Sequence, residues 1–282
     1  MAGTLYICAT PIGNLEDITL RTLRILKEVD LIAAEDTRHS IKLLNHFEIK
    51  TPMTSYHEFN KYDKAKILVD KLLEGTNIAL VTDAGTPAIS DPGEELVRQC
   101  HAAGVSVTSL PGPSAFVTAL TISGQKTRRF CFEAFLPYDK KERDAVLFEL
   151  SKETRTILIY EAPHKLRKTL EDLYDMLGDR SISLCRELTK KHETNQRMTL
   201  SEAVDYYKTE DPKGEYVLVI EGVDRETLRE EEMQTFLSMT IPEHVAFYME
   251  QGMDKKEAMK AAAKDRGVGK RDIYRELLEA RE

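Results

Sequence analysis

The chain has 282 residues, 41% hydrophobic and 31% charged, the balance of a soluble globular protein with room for two ordinary domains and a well-buried core. It offers no long apolar run to span a bilayer and no basic and apolar leader ahead of the first strand-like segment, so a cytoplasmic protein is expected. Cys8, Cys100, Cys131 and Cys185 form no C-x-x-C pair and the histidines no H-E-x-x-H, which argues against a disulfide framework or a metal centre, and the net charge of −8 argues against indiscriminate nucleic-acid binding over the whole surface.

The first half alternates strand and helix. A strand from Thr4 to Thr10 stops at the turn-forming Pro11-Ile12-Gly13-Asn14. Thr19 caps a helix over Leu20 to Val29, and a strand from Leu31 to Ala34 ends at Glu35-Asp36-Thr37-Arg38. A helix from Ser40 to Phe47, a strand near Met53 to Tyr56 and a helix from Lys61 to Leu73 lead to the apolar run Ile78 to Val81. That run breaks at Thr82 to Gly93, a stretch with two glycines and two prolines too long for an ordinary strand-to-helix connection. It reads as a ligand loop, since open α/β sheets bind in the crevice beyond their strands' carboxyl ends. A helix from Glu94 to Ala103, a strand from Val105 to Leu110, the turn Pro111-Gly112-Pro113-Ser114 and an apolar helix from Ala115 to Ile122 follow. Such repetition predicts right-handed βαβ units and a largely parallel sheet.

Small and basic residues from Ser123 to Arg129 mark a linker, and a second α/β unit begins. Its predicted elements are strand Phe130 to Leu136, helix Glu142 to Ser151, strand Thr156 to Tyr160 running into Glu161-Ala162-Pro163-His164, and helix Lys165 to Leu177 stopped by Gly178. Strand Ile182 to Cys185 runs into Arg186-Glu187-Leu188-Thr189-Lys190. An alternating strand from Thr194 to Thr199, a helix from Ser201 to Tyr207 and a strand from Glu215 to Ile220 close a mixed sheet. Charged helices follow, among them Met253 to Lys264 and Lys270 to Leu278 around Gly267-Val268-Gly269, which fit either a helix-turn-helix or a plain capping hairpin. The expected layout is α/β, with an N-terminal α/β domain over 1–122, a second over 123–224 and a helical tail over 225–282.

The polar and Gly/Pro loops gather at strand ends in both halves and predict one cleft between them. No nucleophile elbow, Walker sequence or G-x-G-x-x-G follows any strand, so hydrolase, phosphate-loop and ordinary dinucleotide-binding functions lose support. From the residues alone, the reading ends at a two-domain α/β ligand-binding enzyme.

The ordered motifs Thr10-Pro11-Ile12-Gly13-Asn14-Leu15-Glu16-Asp17, Ala34-Glu35-Asp36-Thr37-Arg38, Asp83-Ala84-Gly85-Thr86-Pro87 with Ser90-Asp91-Pro92-Gly93, Pro111-Gly112-Pro113-Ser114 and Arg186-Glu187-Leu188-Thr189-Lys190 carry a further signal. Together they resemble the ribosomal RNA small subunit methyltransferase I family, within the tetrapyrrole-methylase-like methyltransferases. The resemblance runs from Leu5 to about Val223, and the tail resembles that family's helical C-terminal domain. It implies a homodimeric enzyme that uses S-adenosyl-L-methionine to methylate a cytidine ribose 2′-hydroxyl in bacterial 16S rRNA, free or in the assembled small ribosomal subunit, with no membrane or DNA partner. It also implies a cofactor folded between the two α/β domains. Binding then falls to Pro11, Gly13, Asp83, Ala84, Gly85, Thr86, Ser114 and Ala115 on one side, and to Phe135, Leu136, Tyr160, Glu161, Ala162, Arg186, Gly214, Glu215 and Tyr216 on the other.

Methyl transfer to a ribose hydroxyl requires alignment, proton removal and exclusion of water. The candidates are Glu35 and Asp36 beside Arg38, and Lys190 near His192 and Glu193: Asp36 and Arg38 are expected to orient the nucleotide, and Glu187 or Lys190 to deal with the proton, with a structural salt bridge as the competing role. Basic clusters near Arg128-Arg129, Lys140-Lys141 and in the tail are candidates for RNA contact, or are simply solvated faces. Two other readings share parts of these features: a methylase of corrin-like small molecules, and a DNA-reading regulator with the α/β body as sensor.

Overall fold

The computed structural model describes residues 1–279, so positions 280–282 of the expected tail lie outside the described residues. The chain forms two compact units: Met1–Leu150 with Arg155–Glu221, and Ser151–Thr154 with the chain from Gly222 onward.

The first unit holds two five-stranded sheets. In the first, β1 (Thr4–Cys8), β2 (Leu31–Ala34), β3 (Met53–Ser55), β4 (Ile78–Val81) and β5 (Ser106–Leu110) run in the order β3-β2-β4-β1-β5. Every pairing is parallel, with Ile32 opposite Ala79 and Leu5 opposite Ile78. Both faces are covered, as an all-parallel sheet requires. One face packs Leu5, Ile7, Leu80 and Ala33 against α3 (Lys61–Leu73) and α4 (Gly93–Ala102). The other packs Cys8, Ile32, Ala34 and Val81 against α1 (Leu20–Glu28) and α2 (Thr37–His46). Thr19 caps α1 through Thr22 N–H, and Asp36 caps α2 through Arg38 N–H.

The second sheet runs β6 (Phe130–Phe132), β7 (Thr156–Glu161), β10 (Tyr216–Ile220), β8 (Ser181–Arg186) and β9 (Thr194–Thr199). Only β6 and β7 pair in parallel, so the sheet is mixed as its alternating sequence indicated. α6 (Lys140–Ser151), α7 (Pro163–Leu177) and α8 (Leu200–Thr209) cover one face through Leu147, Leu150, Leu166, Leu170, Leu200 and Ala203. β6 is shorter than its apolar sequence predicts. Ala134 takes φ +52°, which turns the chain out of the sheet before Phe135 and Leu136.

The opposite face of the second sheet is covered by α5 (Ala115–Ile122), the helix that follows β5 of the first sheet. Its Ala119 and Leu120 pack with Leu158, Cys185, Val217 and Val219. This crossover ties the two sheets into one unit and sets Pro111–Ser114 at their junction.

The second unit contains α9 (Arg225–Ser238), α10 (Ile241–Glu250), α11 (Lys255–Asp265) and α12 (Lys270–Glu279). Ile241, Val245, Ala258, Met259, Ala262, Ala263 and Ile273 form its core. Fully buried His244 stacks on Phe236 at 4.4 Å, and its Nδ1 accepts a hydrogen bond from Arg266 Nε at 3.1 Å. Arg266 also donates to the carbonyls of Phe236 and Met239, so one side chain gathers the end of α9, α10 and the end of α11.

Candidate active site

The loops at the carboxyl ends of the first sheet, and at the edge of the second where β7 and β8 end and the antiparallel β10 begins, enclose a cavity of about 460 Å³. Glu35, Thr82 to Thr86, Ile89 to Asp91, Ser114 and Ala115 form one wall; Phe135, Tyr160 to Ala162, Glu187, Leu188, Lys190 and Glu215 to Val217 form the other, with Ile12 and Cys185 also lining the space.

The first wall is built by main chain. Thr10 and Gly85 exchange N–H···O bonds of 2.9 and 3.0 Å, and Gly85 takes φ +86°, which glycine adopts without strain. Thr10 Oγ1 donates to Thr82 O and Thr86 Oγ1 to Pro113 O. Beyond them Ala88 and Ser90 adopt φ +66° and +62°, held because Asp91 Oδ1 accepts from Ala88 N and Gly93 N at 2.9 and 2.7 Å. A Cβ at Gly93 would sit 2.8 Å from Ala88 N, so the close turn needs glycine there. Tyr56 donates its hydroxyl to Pro92 O at 2.8 Å and anchors the loop's far end.

Carboxylates of opposite character meet on this wall. Asp83 Oδ1 accepts from Asp36 N at 3.3 Å, while Thr82 Oγ1 donates to Glu35 Oε2 at 2.5 Å. Burial, and then the neighbouring Glu35 charge, push the Asp83 carboxyl above the usual range. Asp36 is instead held down to about 2 by hydrogen bonds from the Arg38 side chain and N–H. The Arg38 guanidinium reaches both Asp36 oxygens, at 3.1 and 2.8 Å, with its side chain 89% exposed. Asp36 and Arg38 therefore pair with each other and do not line the cavity.

The second wall is built by side chains. Lys190 Nζ lies 2.9 Å from Glu187 Oε1 and 2.9 Å from Glu215 Oε2, and Glu187 Oε1 also accepts from Glu215 N. Partial burial opposes the charge on Glu187, but Lys190 and the Glu215 N–H outweigh it and lower its carboxyl below the ordinary range. Burial likewise opposes the Lys190 charge, and the two glutamates raise it. Glu187 and Thr189 take φ +50° and +67°, a left-handed conformation uncommon for residues other than glycine. Two glycines make room: a Cβ at Gly214 would lie 2.4 Å from Glu187 Cγ, and one at Gly13 would lie 2.4 Å from Lys190 Cγ and 2.9 Å from Thr189 Oγ1. Above this cluster Tyr160 accepts from Phe116 N at 3.2 Å, and burial raises its hydroxyl. Phe135, 52% exposed, meets the Tyr160 ring edge-on at 5.6 Å.

Of the residues singled out in the sequence, Asp83, Ala84, Gly85, Thr86, Ser114, Ala115, Phe135, Tyr160, Glu161, Ala162, Glu187, Lys190, Glu215 and Tyr216 line the cavity. Gly13 and Gly214 stand behind the wall as the spacers just described. Pro11 is off the lining, Leu136 is buried beside Phe135, and Arg186 donates to His192 O while its Nε is buried without a partner. Glu35, a carboxylate candidate beside Asp36, lines the cavity too, and Ile12, Ile89, Asp91, Leu188 and Val217 are lining residues absent from that set. Ile12, Glu35, Asp91 and Leu188 sit inside motifs already noted and Ile89 inside the loop from Thr82 to Gly93; Val217, an apolar strand residue, carries no sequence signal separating it from core.

The lining carries six carboxylates, Glu35, Asp83, Asp91, Glu161, Glu187 and Glu215, against the one cation Lys190. A space with that charge, apolar at Ile12, Ile89, Phe135, Leu188 and Val217, suits a cationic ligand with a flat apolar part and is unfavourable for a polyphosphate. S-adenosyl-L-methionine, with its sulfonium, ammonium and adenine, matches this donor set.

Fold and cleft define the class. The profile of the Tetrapyrrole (Corrin/Porphyrin) Methylases matches residues 4–204, and the chain belongs to that family. The structure of the methyltransferase CobJ superimposes with a TM-score of 0.60 at 17% identity, covering 79% of this chain and 95% of that one, a likeness of fold. Within the class the chain belongs to the ribosomal RNA small subunit methyltransferase I family. The protein of that name from Halalkalibacterium halodurans is 52% identical over 272 residues, 96% of this chain and 93% of its own. That from Thermotoga maritima is 46% identical over 220 residues, which make up 99% of its length but 78% of this chain.

Proposed function

We propose that this chain methylates the ribose 2′-hydroxyl of a cytidine in bacterial 16S rRNA, working in the cytoplasm as a homodimer. Its two α/β halves, 1–122 and 123–224, form the catalytic body, and 225–282 form an accessory tail. The chain is a methyltransferase, and S-adenosyl-L-methionine is its methyl donor. The carboxylate-rich cleft at the ends of both sheets carries this reading, in a chain about half identical to relatives named for small-subunit rRNA methylation.

The bound donor supplies a methyl group on a positive sulfonium. The chain's own residues do the rest. The Gly85 loop and Ser114-Ala115 would hold the methionine and ribose portions, and Phe135, Tyr160 to Ala162 and Tyr216 would enclose the adenine and exclude water. Asp36 and Arg38, paired at the rim, orient the incoming nucleotide. Lys190 stays charged between Glu187 and Glu215 and stabilises negative charge developing on the ribose oxygen. Glu187 is held ionised by that same lysine, which makes it a weak base. Asp83 has the environment of the better proton acceptor: its raised carboxyl takes the 2′-hydroxyl proton as the oxygen attacks and returns it to solvent.

The test is transfer of tritiated methyl to small subunits from cells lacking this protein, followed by mapping of the modified ribose, with tetrapyrrole acceptors and duplex DNA in parallel. Label on a cytidine 2′-oxygen is expected. Label only on a tetrapyrrole, or sequence-dependent duplex binding without transfer, sinks the reading. Within an active enzyme, Asp83→Asn is expected to lower the single-turnover rate by about 10²–10⁴-fold with cofactor affinity kept. An unchanged rate removes Asp83 as the base.

A further inference from the structure

We propose that α11 and α12 of the helical unit form a phosphate-docking face that grips structured RNA, an inference that rests on the rRNA reading above. The unit's charge is segregated along the chain. Residues 225–250 hold six acidic and two basic side chains, whereas residues 255–279 hold eight basic and five acidic ones. In a chain of net charge −8, that local excess of cations stands against the overall trend.

Its arrangement is specific. Lys256, Lys260 and Lys264 are all exposed and repeat every fourth residue of α11, so they stand in a row about 6 Å apart. Ala258, Met259, Ala262 and Ala263 fill the helix's buried side. None of the three lysines is ion-paired among the described residues, and like charges at this spacing destabilise a helix. Lys264, in the last turn, is favoured by the helix dipole, but Lys256 and Lys260 gain nothing from it, so helix stability does not account for the row. A bilayer is a poor partner, because the exposed flank of α11 carries no large apolar side chain to enter it. After the turn at Gly267–Gly269, α12 buries Ile273 and turns Arg271, Tyr274 and Arg275 outward. Among the described residues Arg275 makes a 3.4 Å exposed contact with Asp272. Two guanidinium groups beside an exposed aromatic ring suit phosphates and an unstacked base.

The Thermotoga maritima relative points the same way. The match covers nearly all of that protein yet leaves about a fifth of this chain without a counterpart, a share the size of the helical unit. If the unmatched share is the helical unit, its absence from a relative of the same name fits substrate grip better than methyl transfer.

The full-length K256E/K260E/K264E protein tests this against wild type, with a 16S rRNA transcript and with small subunits as binding partners over a series of salt concentrations. Each phosphate contact contributes about 0.7–0.9 to the slope of log affinity against log salt, so losing three should flatten it by about 2–3. At fixed physiological salt the KM for subunits should rise at least about tenfold, with kcat and S-adenosyl-L-methionine affinity unchanged. K256Q/K260Q/K264Q, which removes charge without adding repulsion, should fall between the two. Unchanged slope and KM overturn the proposal. A loss seen with subunits but not with the transcript also overturns it, in favour of a ribosomal-protein partner. A wild type that transfers no methyl to subunits but still shows lysine-dependent RNA binding sinks the functional reading and supports this face.

Discussion

The two walls of the cleft reach similar ends by different means. The first is shaped by backbone: the Thr10–Gly85 exchange, a glycine at φ +86° and a loop pinned by Asp91. The second is shaped by side chains: Glu187, Lys190 and Glu215 interlock over the space that Gly13 and Gly214 leave open. A backbone wall tolerates side-chain change because its shape lies in dihedrals and N–H···O bonds. A side-chain wall fails when one member loses its seat. Substitutions across the two walls should therefore have unequal effects.

The largest contrast lies at Gly214. Its φ of +77° strains any other residue, and an alanine Cβ would meet Glu187 Cγ, Cδ and Oε1 at 2.4–2.6 Å. Gly214→Ala should displace Glu187 by about an ångström and reduce methyl transfer about 100-fold, the scale expected for such a misplacement in an active site. Ala84→Ser, at an exposed position on the backbone wall, should stay within about twofold in the same single-turnover assay. Equal losses would erase the distinction. Lys190→Met comes next. It removes both ion pairs, leaves two glutamates facing each other and should lower the rate by about 10–100-fold, with partial recovery in Lys190→Arg. Full activity of the Met protein would reduce Lys190 to a structural clasp.

Much of this molecule can be read from its residues, and the failures have physical causes. The alternation of β1 to β5 with α1 to α4 is legible because β2 and β4 are apolar runs closed by turn-forming loops and the helices between the strands keep helical spacing, although β3 and β5 are half polar. The destination of α5 is not. Its apolar residues, Ala115, Phe116, Val117, Ala119, Leu120 and Ile122, leave no polar stripe to say which sheet it covers, and it packs on the second. The strand expected over Phe130 to Leu136 stops early because Ala134 adopts a left-handed conformation that its sequence does not announce. The same is true of Glu187 and Thr189, since neither is a glycine. Asp36 and Arg38 share a motif with Glu35, yet only Glu35 lines the cavity: an aspartate that caps a helix lies within reach of the arginine two residues on, and the pair satisfies itself at the rim.

The smallest effect separates two adjacent carboxylates through pH. Asp83 has a folded pKa above its unfolded value, so its favourable contribution is complete below the ordinary carboxylate range and is lost as pH rises through the folded value. Asp36 is the reverse: held down to about 2, it contributes stability above the ordinary range that is lost only as pH falls through that value. Asp83→Asn keeps an acceptor for Asp36 N–H and removes a charge that burial and Glu35 both disfavour. It should raise Tm at pH 8 by no more than about 3 °C, screening by solvent keeping the effect small, and the gain should close as pH approaches 4. Asp36→Asn should lower Tm by an amount that stays level from pH 8 to pH 5, because its folded and unfolded forms are both ionised there. Scanning calorimetry of the two variants against wild type checks both curves. Parallel curves would mean that Asp83 is as solvated as Asp36, and Asp83 would then lose the physical basis for its role as proton acceptor.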